Sequence, residues 1–215
     1  MAPREDGPTA VPAIEDLCRE LTERLGLLGV AVNLTSGQGS AGVVAASDDR
    51  CRRLDELQFS AGEGPCYDAA QWSRPVLTPD LGTEGTARWP GYTSTAVEAG
   101  VAAVFAFPLQ VGALCLGVMD VYADRSGSLT DEQVGAALAS ARLATQILLD
   151  GGPGLGDAIA HRAEVYQAQG MVMASRGEGA AEALARMRAH AFAQDLSLLA
   201  LALQILAGRE LLEDE

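Results

Sequence analysis

Lysine is missing from this sequence altogether: each of the 15 basic residues is arginine, set against 29 aspartates and glutamates for a formal charge of -14. That balance excludes a protein that holds nucleic acid by a general positive field, because phosphate neutralisation is the main sequence-independent source of such affinity. Any contact with RNA must be local. Histidine is nearly missing too. His161 and His190 are the only two, and neither lies in an H-E-x-x-H or comparable ligand spacing, so both read as exposed polar residues and no metal site is expected. The four cysteines, Cys18, Cys51, Cys66 and Cys115, have no C-x-x-C pairing, which removes the usual signals of a zinc site or a dithiol couple. In a reducing compartment they stay reduced thiols. A charged leader with an apolar core is absent, as is any apolar run of membrane-spanning length, so the expected location is the cytoplasm, away from any membrane. No internal repeat is visible, and nothing calls for a cofactor.

What is present is 48% apolar residues over 215 positions, enough for a core in one large or two modest domains. Residues 1–12, with three prolines and mixed charges, are expected to form a disordered lead. Over 13–25 the apolar positions Ile14, Leu17, Leu21 and Leu25 recur at helical spacing, with Gly26 as a stop. The period then changes. Residues 30–34 and 42–46 read as paired strands around a glycine turn, and Ser47 caps a short helix through Leu54 and Leu57. The Gly62-Glu63-Gly64-Pro65-Cys66 run makes a turn followed by a helix start, since glycine tolerates unusual backbone angles and proline suits the first helical position. Residues 75–77 read as a brief strand, 82–90 as a loop and 92–99 as a helix. Val101 to Leu109 alternate as a strand with one heavily buried face, Pro108 marking a bulge or an unpaired position. Gly112 turns the chain into a last strand over 114–122, and Thr130-Asp131-Glu132-Gln133 fits a capping box opening a long helix to Asp150. This order predicts an α+β domain, an antiparallel sheet with flanking helices, over 13–150.

Residues 151–156, rich in glycine with one proline, read as a linker. Residues 157–215 are dominated by alanine, leucine, methionine and arginine. Ile159, Ala163, Tyr166, Gly170 and Met173 give one apolar seam, Ala180, Leu184, Met187 and Ala191 a second, and Leu196, Leu199, Leu203 and Leu206 a third. Three helices with short connections pack as an all-α bundle.

The runs Val165-Tyr166-Gln167-Ala168-Gln169-Gly170-Met171-Val172-Met173 and Glu182-Ala183-Leu184-Ala185-Arg186-Met187-Arg188-Ala189-His190-Ala191-Phe192 resemble the ANTAR module, an RNA-binding transcription antiterminator domain. Upstream, Leu54-Asp55-Glu56-Leu57-Gln58-Phe59, Gly62-Glu63-Gly64-Pro65-Cys66, Arg88-Trp89-Pro90-Gly91 and Val104-Phe105-Ala106-Phe107-Pro108-Leu109 resemble GAF sensor domains joined to ANTAR domains in actinobacterial regulators. The resemblance implies a signal-responsive, non-enzymatic antitermination regulator that binds a dual-hairpin RNA leader, works as a homodimer and takes a small-molecule ligand in the GAF domain.

For that ligand the expected lining is Cys66, Tyr67, Trp89, Tyr92, Phe105 and Phe107, with Trp72 a further aromatic. The same aromatics also serve as core filler. Cys66 at a helix start reads either as a reactive thiol or as a packed small side chain. The four cysteines are not placed like those of the GAF subfamily that reduces free methionine sulfoxide. Glu63 reads as a ligand contact or a solvated turn residue. For RNA the candidates are Arg162, Gln169, Arg176, Arg186 and Arg188, guanidinium groups being suited to phosphates and stacked loop bases. The alternative is a salt-bridged helix face, with Glu182 four residues before Arg186. The chain departs from the ANTAR pattern at Gln194-Asp195-Leu196 and in its acidic tail, and residues 157–215 hold five arginines against nine acids. A bundle kept only for dimerisation or a protein partner is therefore the rival reading. The leucine excess of the third helix, Leu198, Leu199, Leu201 and Leu203, points the same way, towards a second chain or the sensor domain.

Overall fold

A computed structural model describes residues 10–36, 39–112, 114–151 and 163–208. The chain divides into two compact units, Met1–Ala158 and Ile159–Glu215.

The first unit begins with helix α1, Ala10–Leu25, which buries Ile14, Leu17, Cys18 and Leu21 at spacings of three and four. It starts inside the stretch expected as a disordered lead, because Pro12 falls in the first turn, where the amide it lacks has no helical partner to lose. Strands β1, Gly29–Ser36, and β2, Gly39–Ala46, pair antiparallel. Helix α2, Asp49–Ala61, is capped by Asp48, whose carboxylate accepts from Cys51 N at 2.7 Å. Ser47, the expected cap, instead accepts from Val30 N at 3.1 Å, because its own amide is paired to β1 and holds it in the sheet. Helix α3 covers Pro65–Trp72 and strand β3 Val76–Thr78.

The 82–90 segment expected as a loop is helical in part. A wide turn at Leu81–Gly85 leads into one helical turn, α4, Thr86–Arg88, and then α5, Pro90–Glu98. Asp80 starts it by accepting from Thr83 N at 3.1 Å and from the Thr83 hydroxyl at 3.0 Å. Strands β4, Ala103–Val111, and β5, Leu114–Ala123, form the central hairpin, and α6, Asp131–Asp150, carries the expected capping box. The bulge falls between Leu109 and Gln110, one residue beyond Pro108.

The sheet order is β2-β1-β5-β4-β3, antiparallel throughout. Both faces are covered. Ile14, Leu21, Phe105, Phe107, Met119, Val121, Ala137 and Leu148 form the core under α1 and α6. Leu54, Cys66, Trp89, Tyr92, Val104, Val118 and Tyr122 form the core under α2, α3 and α5. The β4 expectation of one buried face is thereby corrected: helices on both sides bury its small residues as well as its phenylalanines.

The second unit is three helices, α7 Ala163–Arg176, α8 Ala180–Ala193 and α9 Leu198–Leu206. The α8 seam agrees with expectation, burying Leu184, Met187 and Ala191. The other two are out of phase. In α7 the buried positions are Val165, Ala168, Gln169 and Val172, and in α9 they are Leu198, Leu201, Ala202 and Ile205. A helix apolar on most sides offers no contrast from which to read the phase.

Candidate functional site

The polar residues that the sheet and helices bury in the first unit converge on one place. Asn33 on β1 and Asp120 and Tyr122 on β5 point to the α2 side, and Asp55 and Gln58, three apart on α2, meet them there. Asn33 Nδ2 donates to Asp55 Oδ1 at 2.9 Å and to Asp120 Oδ2 at 3.3 Å. Gln58 Nε2 donates to the same Asp120 oxygen at 2.8 Å and lies 3.4 Å from the Tyr122 hydroxyl. Gln58 Oε1 accepts from Cys66 N at 2.9 Å, which ties the start of α3 to the cluster. Gly64 makes this approach feasible. Its φ of 140° is open to glycine, and a Cβ there would lie 2.4 Å from Gln58 Oε1.

Burial, followed by the charge of Asp55, pushes the Asp120 carboxyl well above the usual carboxylate range, against the bonds from Gln58 and Asn33. Asn33 Nδ2 bridges the Asp55 and Asp120 carboxyls, so the two belong to one buried cluster. Burying two carboxyls in one cluster favours keeping a proton on the pair over ionising both. Among the described residues no arginine is buried. Burial and then Asp120 push the Tyr92 and Tyr122 phenols up as well, with Asp55 and Cys66 adding in both cases, and Tyr92, Tyr122 and Cys66 share one buried cluster. Among the described residues, the buried polar atoms here that have no hydrogen-bond partner include Asn33 Oδ1 and the Tyr92 hydroxyl.

The expected lining residues divide across the sheet. Cys66, Tyr67, Trp89 and Tyr92 belong to the α2, α3 and α5 side, next to this cluster. Phe105 and Phe107 belong to the α1 and α6 side, so the sheet separates them from the rest. Trp72 is on the surface, half-exposed, with the Arg74 guanidinium 5.1 Å from its ring and that of Arg88 at 5.7 Å. Arg88 also lies 4.0 Å over Trp89 and bonds Asp68 at 2.8 Å. Glu63 is half-exposed and has partners within the protein. Its Oε1 accepts from Gly91 N at 2.6 Å and Tyr92 N at 3.1 Å, capping α5 from 28 residues away in the chain.

Sequence reasoning passed over Asn33, Asp55, Gln58 and Asp120. The available signal was a polar residue in the middle of each of two apolar strands, Val30-Ala31-Val32-Asn33-Leu34 and Val118-Met119-Asp120-Val121-Tyr122. As for thiol chemistry, burial pushes Cys18 up to about 12 and Cys51 up to about 11, and it raises Cys115. None of these three supplies much thiolate near neutrality.

In the bundle, Gln169 is buried and its Nε2 donates to Ala180 O at 2.6 Å, which fastens α7 to the start of α8. Arg176 and Arg186 both bind the Glu178 carboxylate in the turn between those helices. Glu182, four residues before Arg186, accepts from Gly179 N at 3.1 Å. Arg188 is half-exposed on α8. Arg162, like His161, lies outside the described residues.

An antiparallel five-stranded sheet with α1 and α6 on one face and shorter helices closing the other defines an α+β domain, and three helices follow it among the described residues. The GAF domain family matches residues 11–148 and the ANTAR domain family residues 154–206, so the chain belongs to the GAF family and carries an ANTAR domain, the RNA-binding antiterminator type. Solved structures share the first fold. The GAF domain region of a Geobacter sulfurreducens protein superposes with a TM-score of 0.54 at 15% identity, covering 65% of this chain and 93% of that one. Free methionine-R-sulfoxide reductase from Neisseria meningitidis, in complex with its substrate, gives 0.51 at 17% identity, covering 67% and 80%. The GAF domain of an Acinetobacter phosphoenolpyruvate-protein phosphotransferase gives 0.51 at 9%, covering 73% and 86%. At these identities the likeness is one of fold alone. No curated protein matches the chain significantly.

Proposed function

We propose that this protein is a signal-responsive transcription antitermination regulator, in which the GAF domain senses a small molecule and the ANTAR bundle binds a dual-hairpin element in nascent RNA. The observation that carries this reading is the pairing of the two domain types in one chain. A ligand acts by favouring one state of the protein, and a tenfold change in RNA affinity needs a coupling of only about 1.4 kcal/mol. No covalent step is required. Arg186 and Arg188 on α8, with Arg176 at the end of α7, are the cations through which a bundle of net negative charge would meet phosphates or stacked loop bases. The test is a gel-shift titration of the full chain with a dual-hairpin RNA over a range of salt concentrations. Specific binding with a negative salt slope supports the reading, and binding no stronger than that to an unstructured RNA of equal length overturns it.

Two observations favour a second reading, a bundle that serves dimerisation or a protein partner without RNA. Glu178 engages two of the candidate arginines, and Phe192 on α8 is 82% exposed, with Leu199 and Leu203 of α9 half-exposed. In that case the titration shows no RNA complex, while sedimentation shows association that depends on those apolar residues.

A further inference from the structure

We propose that the cluster of Asn33, Asp55, Asp120 and Tyr92 is a receptor for a small organic cation, an ammonium or amidinium group bearing several N–H donors. This rests on the first unit being a ligand sensor, and it names the chemistry of what that sensor takes. The argument begins with what the cluster has left to offer. Both side-chain amide nitrogens are already committed, that of Asn33 to Asp55 and Asp120, that of Gln58 to Asp120 and Tyr122. The Asn33 carbonyl oxygen, by contrast, is buried without a partner, and so is the Tyr92 hydroxyl, each in a residue at most 1% exposed. A buried polar atom left unpaired costs on the order of 1–3 kcal/mol, which a ligand supplying a donor removes. A phosphate or carboxylate would find two acidic side chains and no uncommitted amide donor, so an anion is disfavoured on both counts.

Charge gives the same answer. Asp55 and Asp120 are buried together, which favours a proton on the pair over two charges. An ammonium group does what that proton does and reaches more acceptors. The exchange balances: the protonated amine enters, the dyad loses its one proton to solvent, and the net charge of the site is unchanged. The groups that face the dyad are Asn33 from β1, Tyr122 from β5, Gln58 from α2, Cys66 from α3 and Tyr92 from α5. Among the described residues no three His, Cys, Asp or Glu side chains converge as a metal site would require, which directs the site to an organic cation.

Thermal melting of the full chain with propylamine, methylguanidine or 1,4-diaminobutane tests this, with propan-1-ol, propionate and magnesium chloride as comparators. Concentrations up to about 10 mM saturate a site of millimolar affinity. At least one nitrogenous cation is expected to raise the Tm, and by more near pH 8 than near pH 6, since binding expels a proton. Calorimetry in two buffers of different ionisation enthalpy reads that proton directly. Tyr92→Phe removes one unpaired hydroxyl and nothing else, so it should fold as the parent does and weaken cation binding by roughly three- to tenfold. Asp120→Asn should abolish the pH dependence, and Tyr92→Phe decides alone if that variant does not fold. No shift from any of the three cations, or a shift undiminished in Tyr92→Phe, overturns the proposal. A shift from propionate or magnesium alone overturns the ligand class and leaves the sensor reading standing.

Discussion

Both oxygens of Glu178 accept from the Arg186 Nε, at 2.9 and 3.2 Å, and Oε1 takes the Arg186 Nη2 as well. Oε1 further accepts from the Arg176 Nε at 3.2 Å, so one carboxylate in the α7–α8 turn engages two cations on the two flanking helices. The bonds from Arg186, then those from Arg176, hold the Glu178 carboxyl below its ordinary range. If the bundle binds RNA, Glu178 competes with phosphate for these guanidinium groups. Glu178→Gln is therefore expected to tighten binding to dual-hairpin RNA and to steepen the salt dependence by about 0.7–0.9 in log–log slope for each additional phosphate neutralised. Gel shifts of both forms over a salt series check it. A slope unchanged and an affinity reduced would mean that the turn has to be held for RNA to bind.

Glu63 fixes the start of α5 by accepting from two amides of its first turn. A carboxylate on otherwise unpaired helix amides combines capping with a favourable helix dipole. Glu63→Ala should cost about 1–2 kcal/mol of sensor-domain stability, and Glu63→Gln less, since its carbonyl still accepts. Urea unfolding, read at the midpoint with constant slope, measures this. The same substitution loosens the helix that carries Tyr92, so cation binding should weaken along with stability.

The α+β order could be read because each change of hydrophobic period coincided with a glycine, proline or capping residue: Gly26 before β1, Gly62 after α2, and the Thr130 box before α6. Which face a strand residue occupies was legible only where one face was polar. In β4 both faces are apolar, so nothing in the sequence placed Phe105 and Phe107 opposite Cys66 and Tyr92. The polar cluster was hidden for the converse reason. Asn33, Asp55, Gln58 and Asp120 come from three elements as far apart as positions 33 and 120, and only the pairing of β1 with β5 and the seat of α2 bring them together. The α9 phase was out of reach because leucine and alanine fill every side of that helix.

Phe192 bears on the state of association. It stands 82% exposed on α8, and Met171, Leu199 and Leu203 are each 44–50% exposed on the neighbouring helices. If these residues cover one another across a homodimer, Phe192→Asp should shift the sedimentation equilibrium of the full chain towards monomer without lowering its helix content. A monomeric parent protein, or a variant that associates as before, would remove these residues from any dimer contact.

The raised titration of Asp120 makes sensor stability fall as pH rises, and the sign follows from which state binds the proton. The folded Asp120 carboxyl titrates well above its ordinary value, whereas in the unfolded chain it titrates near 3.9. Between those two limits the folded state binds more protons than the unfolded one. The stabilisation is then complete below the unfolded value and is lost as pH climbs through the folded one, at up to about 1.4 kcal/mol per pH unit for one proton. Asparagine at position 120 can still accept from Gln58 and does not titrate, so Asp120→Asn removes the dependence while keeping the nearby bond. The comparison needed is the stability difference between parent and Asp120→Asn from urea unfolding at several pH values between about 5 and 8. It should move steadily in the variant's favour as pH rises. A difference that stays constant would mean that Asp120 is already ionised in the folded protein at neutrality.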